Sequence, residues 1–350
     1  MAFRVLVVGC GARGKMWGKV IDRMAGEATV AAAVDTNAAY ARALAEPRGA
    51  EAFADLDRAL DTVAADAVLV VTPPATHRAV IERVLHYRRP ILAEKPLADD
   101  WADAIALVRQ AEEAGVPLSL SVQFRYLPVS QRLRELLTKQ IYGRPGFAQF
   151  TYLRNRDPYD PNLNWGTRYP VTARHPMLVD QTIHHYDLIR YCYQAEPVWL
   201  QAHTWNPSWS RYGHDSNVAT FMELTTGVKV QYLGTWTGGW NQMQFEWRTD
   251  CERGIITQRD LFGNLFVAGV DEPALTPVPL EPFDAFYDDS AALLRAFAAS
   301  LREGAAVPCD GRDHLQTLAM VFAAMESAET GCRVDLDDFR RRRGLADLTT

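Results

Sequence analysis

The sequence has few cysteines, and their placement excludes two classes of protein. The five cysteines are odd in number, are widely spaced and form no C-x-x-C pair, which argues against both a disulfide framework and a zinc site. They are Cys10, Cys192, Cys251, Cys309 and Cys332. We therefore expect no bound metal and a reducing compartment, the cytoplasm.

Long apolar runs and an excess of positive charge are also missing. No stretch approaches the roughly 18 apolar residues of a membrane span, and the run Val5 to Val8 is too short for a signal-peptide core. The 37 basic and 43 acidic residues give a formal net charge of -6, so nothing attracts the chain to nucleic acid or anionic lipid at long range. We expect no export by such a signal, no membrane association and no nucleic-acid partner.

What is present is an ample apolar core. Of the residues, 48% are hydrophobic. The chain length of 350 residues favours two domains. Up to residue 122, short apolar runs alternate with helix-periodic segments, which predicts an α/β domain with a doubly wound parallel (Rossmann) sheet. The expected strands are Val5 to Val8, Val30 to Val34, Ala67 to Val71, Pro90 to Ala93 and Leu118 to Val122.

Residues 123–350 have a different texture and are expected to form an α+β domain for substrate binding and oligomerisation. A helix is predicted from Asp180 to Cys192, and the segments around it read as strands of a mostly antiparallel sheet. Those segments are Phe147 to Leu153, Val198 to Trp205, Asn217 to Thr225, Val228 to Trp236 and Gln242 to Trp247. Seven of nine tryptophans lie in this half, which indicates a sheet core and an oligomer interface more than a ligand platform.

A glycine-rich turn follows the first strand and predicts a dinucleotide site. The turn has the pattern G-x-G-x-x-G and opens a helix, whose N-terminus suits a pyrophosphate. It runs Gly9, Cys10, Gly11, Ala12, Arg13, Gly14. Asp35 ends the second strand, 21 residues after the last glycine (35 − 14), where a carboxylate binds ribose hydroxyls and repels a 2′-phosphate. NAD is therefore expected, and Arg13 and Arg42 leave NADP open.

Other strand ends supply the remaining candidates for cofactor binding. The carboxyl ends of parallel strands meet at one sheet edge, where ligands of this fold bind. The candidates there are Thr72, Pro73, His77, Glu94, Lys95 and Gln123. A surface ion pair between Glu94 and Lys95 is the alternative.

The predicted second-domain helix carries Asp180, His184 and Asp187 at i, i+4 and i+7, on one helical face. An imidazole can take a hydroxyl proton near neutral pH while carboxylates orient the substrate. A dipole-favoured Asp with a satisfied interior His is an equally weighted alternative. A metal site that adds His175 and His185 fits no standard ligand spacing.

These motifs together resemble the Gfo/Idh/MocA oxidoreductases over nearly the whole chain. The resemblance is carried by the glycine-rich turn, Thr72-Pro73 with His77, Glu94-Lys95-Pro96, Asp180-x-x-x-His184-x-x-Asp187, and the stretch Ala323 to Gly331. It implies an open-faced antiparallel sheet used in dimers or tetramers, sugar or cyclitol substrates, and no metal. It also implies a catalytic role for Lys95, a substrate-orienting role for Asp180 and acid/base catalysis by His184. Ala173 to Pro176 replaces the glycine-rich stretch that the family often has, so the substrate cannot be carried over.

The expected function is an NAD(P)-dependent dehydrogenase that oxidises a secondary hydroxyl of a sugar, cyclitol or sugar derivative, or performs the reverse reduction. Lys95 would stabilise the alkoxide and contact the substrate with Asp180 and His184. Further candidate substrate-binding residues are Arg125, Trp165, Arg168 and His175. Two alternatives stay open: an NAD-dependent glycosidase or lyase that uses transient oxidation, and a non-catalytic dinucleotide-binding regulator.

Overall fold

The computed structural model describes residues 1–156 and 173–345. The chain divides into two compact units, of which the first contains Met1–Tyr126 and Asp284–Leu315 and the second contains the described residues of Leu127–Phe283 and of Gln316 onward. The sequence predicted a single domain boundary after residue 122. It did not predict that Asp284–Leu315 belongs to the first unit. Local sequence patterns carry no information on which unit a late helix joins.

The first unit is built on a six-stranded sheet in the order β3-β2-β1-β4-β5-β6, with every pairing parallel. This confirms the Rossmann prediction. The strands are β1 (Phe3–Val8), β2 (Ala28–Val34), β3 (Glu51–Phe53), β4 (Ala67–Val70), β5 (Ile91–Glu94) and β6 (Leu118–Ser121). The sequence did not indicate β3, because this edge strand has three residues and none of them is buried.

Helices cover this sheet. They are α1 (Ala12–Arg23), α2 (Ala38–Ala45), α3 (Leu56–Thr62), α4 (Pro74–His86), α5 (Trp101–Glu113) and, from the returning segment, α8 (Asp288–Glu303). The apolar stripe of α1 contributes Trp17, Val20 and Ile21 to the unit's core. The α8 residues Leu294 and Phe297 belong to the same core, which explains why this segment clusters with the first unit.

The second unit contains a nine-stranded sheet in the order β14-β13-β12-β11-β7-β10-β9-β8-β15. Among the described strands of this sheet, only β7 and β10 pair in parallel, so the predicted antiparallel character is confirmed. The strands are β7 (Pro145–Leu153), β8 (Pro197–Trp205), β9 (Asn217–Leu224), β10 (Lys229–Thr235), β11 (Gln244–Cys251), β12 (Gly254–Asp260), β13 (Gly263–Gly269), β14 (Thr276–Pro277) and β15 (Val334–Asp335).

The helices of the second unit include one that differs from the prediction. A π-helical turn, Met177–Thr182, precedes α7 (Ile183–Tyr193). The expected α-helix starting at Asp180 is therefore wrong in its first turn, and the wider π spacing changes where Asp180 points relative to the α-helical register. The other helices are α6 (Pro128–Thr138), α9 (Gly311–Thr330), whose residues up to Leu315 belong to the first unit, and α10 (Leu336–Arg342). Within the described residues, no helix combines the length and apolarity needed to cross a membrane.

Candidate active site

The glycine-rich turn leaves open space at the N-terminus of α1. Gly9 has a φ of +98°, and a Cβ there would lie 2.8 Å from the backbone of Val71 and Thr72. A Cβ on Gly14 would lie 2.1 Å from the Gly9 carbonyl oxygen, whereas a Cβ on Gly11 would meet no atom within 4 Å. Gly9 and Gly14 thus permit close backbone packing, and Gly11 borders free space into which a pyrophosphate fits.

The Asp35 carboxylate is held from both sides by backbone amides. The Cys10 N–H donates to Oδ2 at 2.7 Å, and the Asn37 N–H donates to Oδ1 at 2.8 Å. Each oxygen keeps a lone pair that can accept a ribose hydroxyl. Nearby at the end of β4, the buried Thr72 Oγ1 has no hydrogen-bond partner among the described residues. The fixed acceptor, the orphaned hydroxyl and the open turn fit an NAD molecule.

Glu94, a predicted cofactor-binding residue, contacts the glycine-rich turn through its side chain. Its Oε1 accepts from Arg13 Nε at 2.6 Å and from Trp17 Nε1 at 2.7 Å. The carboxylate is nearly buried, so this charge-assisted pair is stronger than a surface ion pair. Glu94 therefore orients Arg13.

His77 is fully buried and joins two strand ends. Its Nε2 lies 2.8 Å from the Thr72 carbonyl oxygen, and its Nδ1 lies 3.1 Å from the carbonyl oxygens of both Pro96 and Leu97. Burial lowers the pKa of this imidazole, against the opposing effect of the backbone hydrogen bonds. His77 thus ties the end of β4 to the segment that follows Lys95.

Three other predicted residues of the first unit have varied surroundings. Lys95 is partly exposed directly after β5, at the edge where the strands end. Gln123 is buried and accepts from Ser121 Oγ at 3.3 Å. Arg125, a candidate for substrate binding, forms an ion pair with Asp313 at 2.6 Å.

In the second unit, the two histidines of α7 have different environments. His184 is 7% exposed, whereas His185 is completely buried. His185 Nδ1 lies 2.9 Å from the Tyr232 hydroxyl and its Nε2 lies 3.0 Å from Gln181 Nε2. Burial lowers the pKa of His185 to about 3, so it stays neutral at physiological pH.

Asp187 and His175 have contacts of their own. The Asp187 carboxylate accepts from the Thr317 hydroxyl at 3.1 Å and is almost completely buried, which supports a structural role. His175 is also buried, with its Nε2 4.0 Å from Glu329. Burial is the main cause that lowers its pKa. Trp165 and Arg168 lie outside the described residues.

Arg156 is a residue that the sequence analysis missed. Its Nη1 lies 3.5 Å from Asp180 Oδ2, and its guanidinium carbon lies 4.5 Å from the centre of the Trp236 ring. No motif marks this arginine, because Trp236 is 80 residues away in sequence (236 − 156). Backbone pairing beyond the end of β7 brings Arg156 to Trp236, and Asp180, 24 residues along the chain, lies in the π-helical turn.

Comparison with known proteins assigns both units. Residues 3–122 match the oxidoreductase family with an NAD-binding Rossmann fold, and residues 130–257 match the Gfo/Idh/MocA C-terminal domain. The chain belongs to the Gfo/Idh/MocA oxidoreductase family. It is therefore an oxidoreductase that uses NAD.

Relatives in this family cover most of the chain. Myo-inositol dehydrogenase Hyg17 from Streptomyces leeuwenhoekii is 28% identical, with 93% of this chain and 98% of the relative aligned. D-apiose dehydrogenase from Rhizobium rhizogenes is 27% identical, over 77% of this chain and 79% of the relative. The crystal structure of an oxidoreductase from Agrobacterium radiobacter in complex with NAD+, L-tartaric acid and magnesium has a TM-score of 0.86 at 20% identity, covering 97% of this chain and 99% of that one. This last likeness establishes the fold.

Within the described residues, no group of three or more His, Cys, Asp or Glu side chains is arranged to hold a metal ion. The residues that fit NAD come from the ends of β1, β2 and β4. The polar residues Asp180, His184 and Arg156 belong to the second unit. Each unit thus has its own set of polar groups.

Proposed function

We propose that the protein is an NAD-dependent dehydrogenase that oxidises a secondary hydroxyl of a sugar, cyclitol or sugar derivative, or performs the reverse reduction. The observation that carries the proposal is the match to inositol and apiose dehydrogenases over most of the chain, by a sequence that contains Lys95, Asp180 and His184. A non-catalytic regulator would have no need of these three groups.

The proposed chemistry divides between cofactor and protein. NAD, when bound, supplies the hydride acceptor at its nicotinamide ring. The His184 imidazole removes the hydroxyl proton of the substrate as general base. The Lys95 ammonium stabilises the negative charge that develops on the substrate oxygen. Asp180 accepts a hydrogen bond from a substrate hydroxyl and so orients the carbon that is oxidised.

The cofactor-binding residues are proposed as two groups. Gly9, Gly11, Ala12, Arg13 and Gly14 surround the pyrophosphate, and Asp35 accepts the ribose hydroxyls. Thr72, Pro73, His77, Glu94, Lys95 and Gln123 shape the edge where the strands end. Of these, Glu94 and His77 act through the residues that they hold, because Glu94 Oε1 accepts from Arg13 and Trp17 and both ring nitrogens of His77 lie against backbone carbonyls.

The proposed substrate contacts remain Lys95, Asp180, His184, Arg125, Trp165, Arg168 and His175. A hydroxyl-rich substrate needs several fixed donors and acceptors, because a site that hydrogen-bonds hydroxyls rejects analogues that lack them. Arg125 would then donate a hydrogen bond to the substrate while it remains in its ion pair with Asp313.

A screen of sugars, cyclitols and sugar derivatives with NAD tests the proposal. We expect at least one of them to give stoichiometric NADH, measured by absorbance, and His184→Ala to abolish most of that signal. Product formation without net NADH would instead establish transient oxidation of the glycosidase or lyase type. Binding of NAD without turnover of any compound would support the regulator alternative and overturn the proposal.

A further inference from the structure

Hydrogen bonds to the backbone N–H and the backbone carbonyl of Arg156 fix the main chain at this residue. Beyond the end of β7, the Arg154 N–H donates to the Thr235 carbonyl at 3.1 Å and the Arg156 N–H donates to the Trp236 carbonyl at 2.7 Å. The Arg156 carbonyl in turn accepts from the Tyr212 hydroxyl at 2.5 Å. Beyond the parallel pairing of β7 with β10, an isolated antiparallel bridge joins Asn155 to Thr237, and Arg156 is held beside it.

The Arg156 side chain is also supported. Its guanidinium lies over the indole ring of Trp236, at 4.5 Å from the guanidinium carbon to the ring centre, in an arrangement that suits a cation–π contact. Trp236 is completely buried and packs against the Tyr212 ring at 5.8 Å. The platform is therefore rigid, and the planar guanidinium keeps its edge free for polar contacts.

That edge faces the carboxylate of Asp180 in the π-helical turn. The Nη1 to Oδ2 distance is 3.5 Å, and the two side chains are 30% and 25% exposed. A charge-assisted hydrogen bond of full strength measures about 2.7–2.9 Å. At the longer distance the guanidinium orients the carboxylate and balances its charge.

We propose that Arg156 is a positioning residue that holds the Asp180 carboxylate in the orientation in which it accepts a substrate hydroxyl. This inference rests on the proposed dehydrogenase function and on the role of Asp180 in it. Lysine cannot replace Arg156 fully, because an ammonium lacks the planar surface that lies over the Trp236 ring.

The first experiment compares Arg156→Met and Arg156→Lys with the wild type, using a substrate found in the screen. We expect Arg156→Met to lower kcat/KM for the sugar or cyclitol by about tenfold or more, with NAD affinity unchanged. Arg156→Lys should recover part of that loss. Because the site of the side chain is open to solvent, methylguanidine in the assay should raise the activity of Arg156→Met several-fold, which a purely structural defect would not allow.

The matched control is Arg144→Met. Arg144 stands before the opposite end of β7 and, like Arg156, forms an ion pair with an acidic residue, Glu252 at 2.6 Å. The Arg144→Met variant should have a kcat/KM within about twofold of wild type, and methylguanidine should not change its activity. Wild-type kinetics for Arg156→Met, or an equal loss for Arg144→Met, would overturn the proposal.

A double-mutant cycle separates this proposal from the function on which it rests. Arg156→Met, Asp180→Asn and the double variant are unfolded in urea, and the shifts in midpoint are compared. If Arg156 acts through Asp180, the shifts are non-additive and the double variant resembles Asp180→Asn. Additive shifts refute the coupling even when a substrate is turned over. Non-additive shifts in a protein that oxidises no sugar or cyclitol refute the proposed function and leave the pairing established.

Discussion

At the scale of single residues, Asp35 is the group most directly suited to select the cofactor. Two backbone amides fix its carboxylate, at 2.7 and 2.8 Å, so the charge cannot turn away from a ligand bound beside it. A ribose 2′-hydroxyl donates to such an oxygen, whereas a 2′-phosphate is repelled by it.

We therefore expect the protein to bind NAD more tightly than NADP, and Asp35→Ser to narrow the difference. Serine removes the repulsion and can still accept a weak hydrogen bond, so the affinity for NAD should fall while that for NADP rises. Titration calorimetry with both cofactors measures this. Equal affinities in the wild type would show that Asp35 does not face the ribose.

The neighbouring histidines of α7 give a second test at this scale. His184→Ala should lower kcat by about a hundredfold or more, the usual effect of losing a general base, with NAD affinity nearly unchanged. His185→Ala should instead lower the free energy of unfolding, because it empties a site enclosed by Phe150, Tyr152 and Tyr232.

The two variants are compared by steady-state kinetics on the folded fraction, with circular dichroism to measure that fraction. His185 remains neutral in the assay because burial lowers its pKa to about 3, so it cannot contribute a titration near neutral pH. Loss of turnover in folded His185→Ala together with near wild-type rates in His184→Ala would reverse the proposed assignment.

At the scale of elements, the sequence predicts what depends on local pattern. Apolar runs identify the five longer strands of the first sheet, and the glycine spacing with Asp35 identifies the turn that fits NAD. The three-residue β3 and the π-helical turn at Met177–Thr182 have no such pattern. The contact of Arg156 with Trp236 depends on backbone pairing between segments 80 residues apart (236 − 156), which no local window contains.

The first turn of α8 contains a buried carboxyl group that affects stability. Asp289 is completely buried, its Oδ1 accepts from the Ser290 N–H at 2.9 Å, and its Oδ2 has no partner among the described residues. Burial raises the pKa of Asp289 to about 7. The folded protein therefore binds this proton more tightly than the unfolded chain, where the pKa of an aspartate is about 3.9.

It follows that Asp289 weakens the fold as the pH rises. The free energy of unfolding loses up to about 1.4 kcal/mol per pH unit between roughly pH 4 and pH 7, and the loss is complete above that range. Asp289→Asn keeps the acceptor for Ser290 and does not titrate, so it should be more stable than the wild type at pH 8 and gain nothing at pH 4. Urea unfolding at the two pH values measures this. An advantage that is independent of pH would contradict the assignment.

At the scale of the whole molecule, the chain length predicts the number of domains, but it does not predict which segments of the chain form each domain. The sequence predicts a parallel α/β unit followed by an α+β unit, and both are present. The return of Asp284–Leu315 to the first unit depends on packing of α8 residues such as Phe297 into a core whose other members include residues between Phe3 and Val122. A segment with ordinary helical periodicity can pack in either unit, so the sequence pattern does not predict which unit α8 joins.

The large sheet of the second unit underlies the last prediction, which concerns assembly. On β9, Met222 is buried while Phe221 is 42% exposed, as alternation along a strand requires. Phe221 lies 5.8 Å from the ring of Trp199 on β8, and Phe147 on β7 is also exposed. A sheet face with such aromatic groups favours association between copies of the chain.

We expect a homodimer or homotetramer at micromolar concentration, measured by light scattering. Phe221→Glu places a charge on the exposed face without disturbing the monomer core, and it should shift the mass toward that of a monomer. Tyr40→Glu is the matched control, because Tyr40 is a similarly exposed aromatic residue, at 45%, in the first unit; it should leave the mass unchanged. A wild-type protein with the 39.2 kDa mass of one chain would refute the prediction, and an oligomer insensitive to Phe221→Glu would place the interface elsewhere.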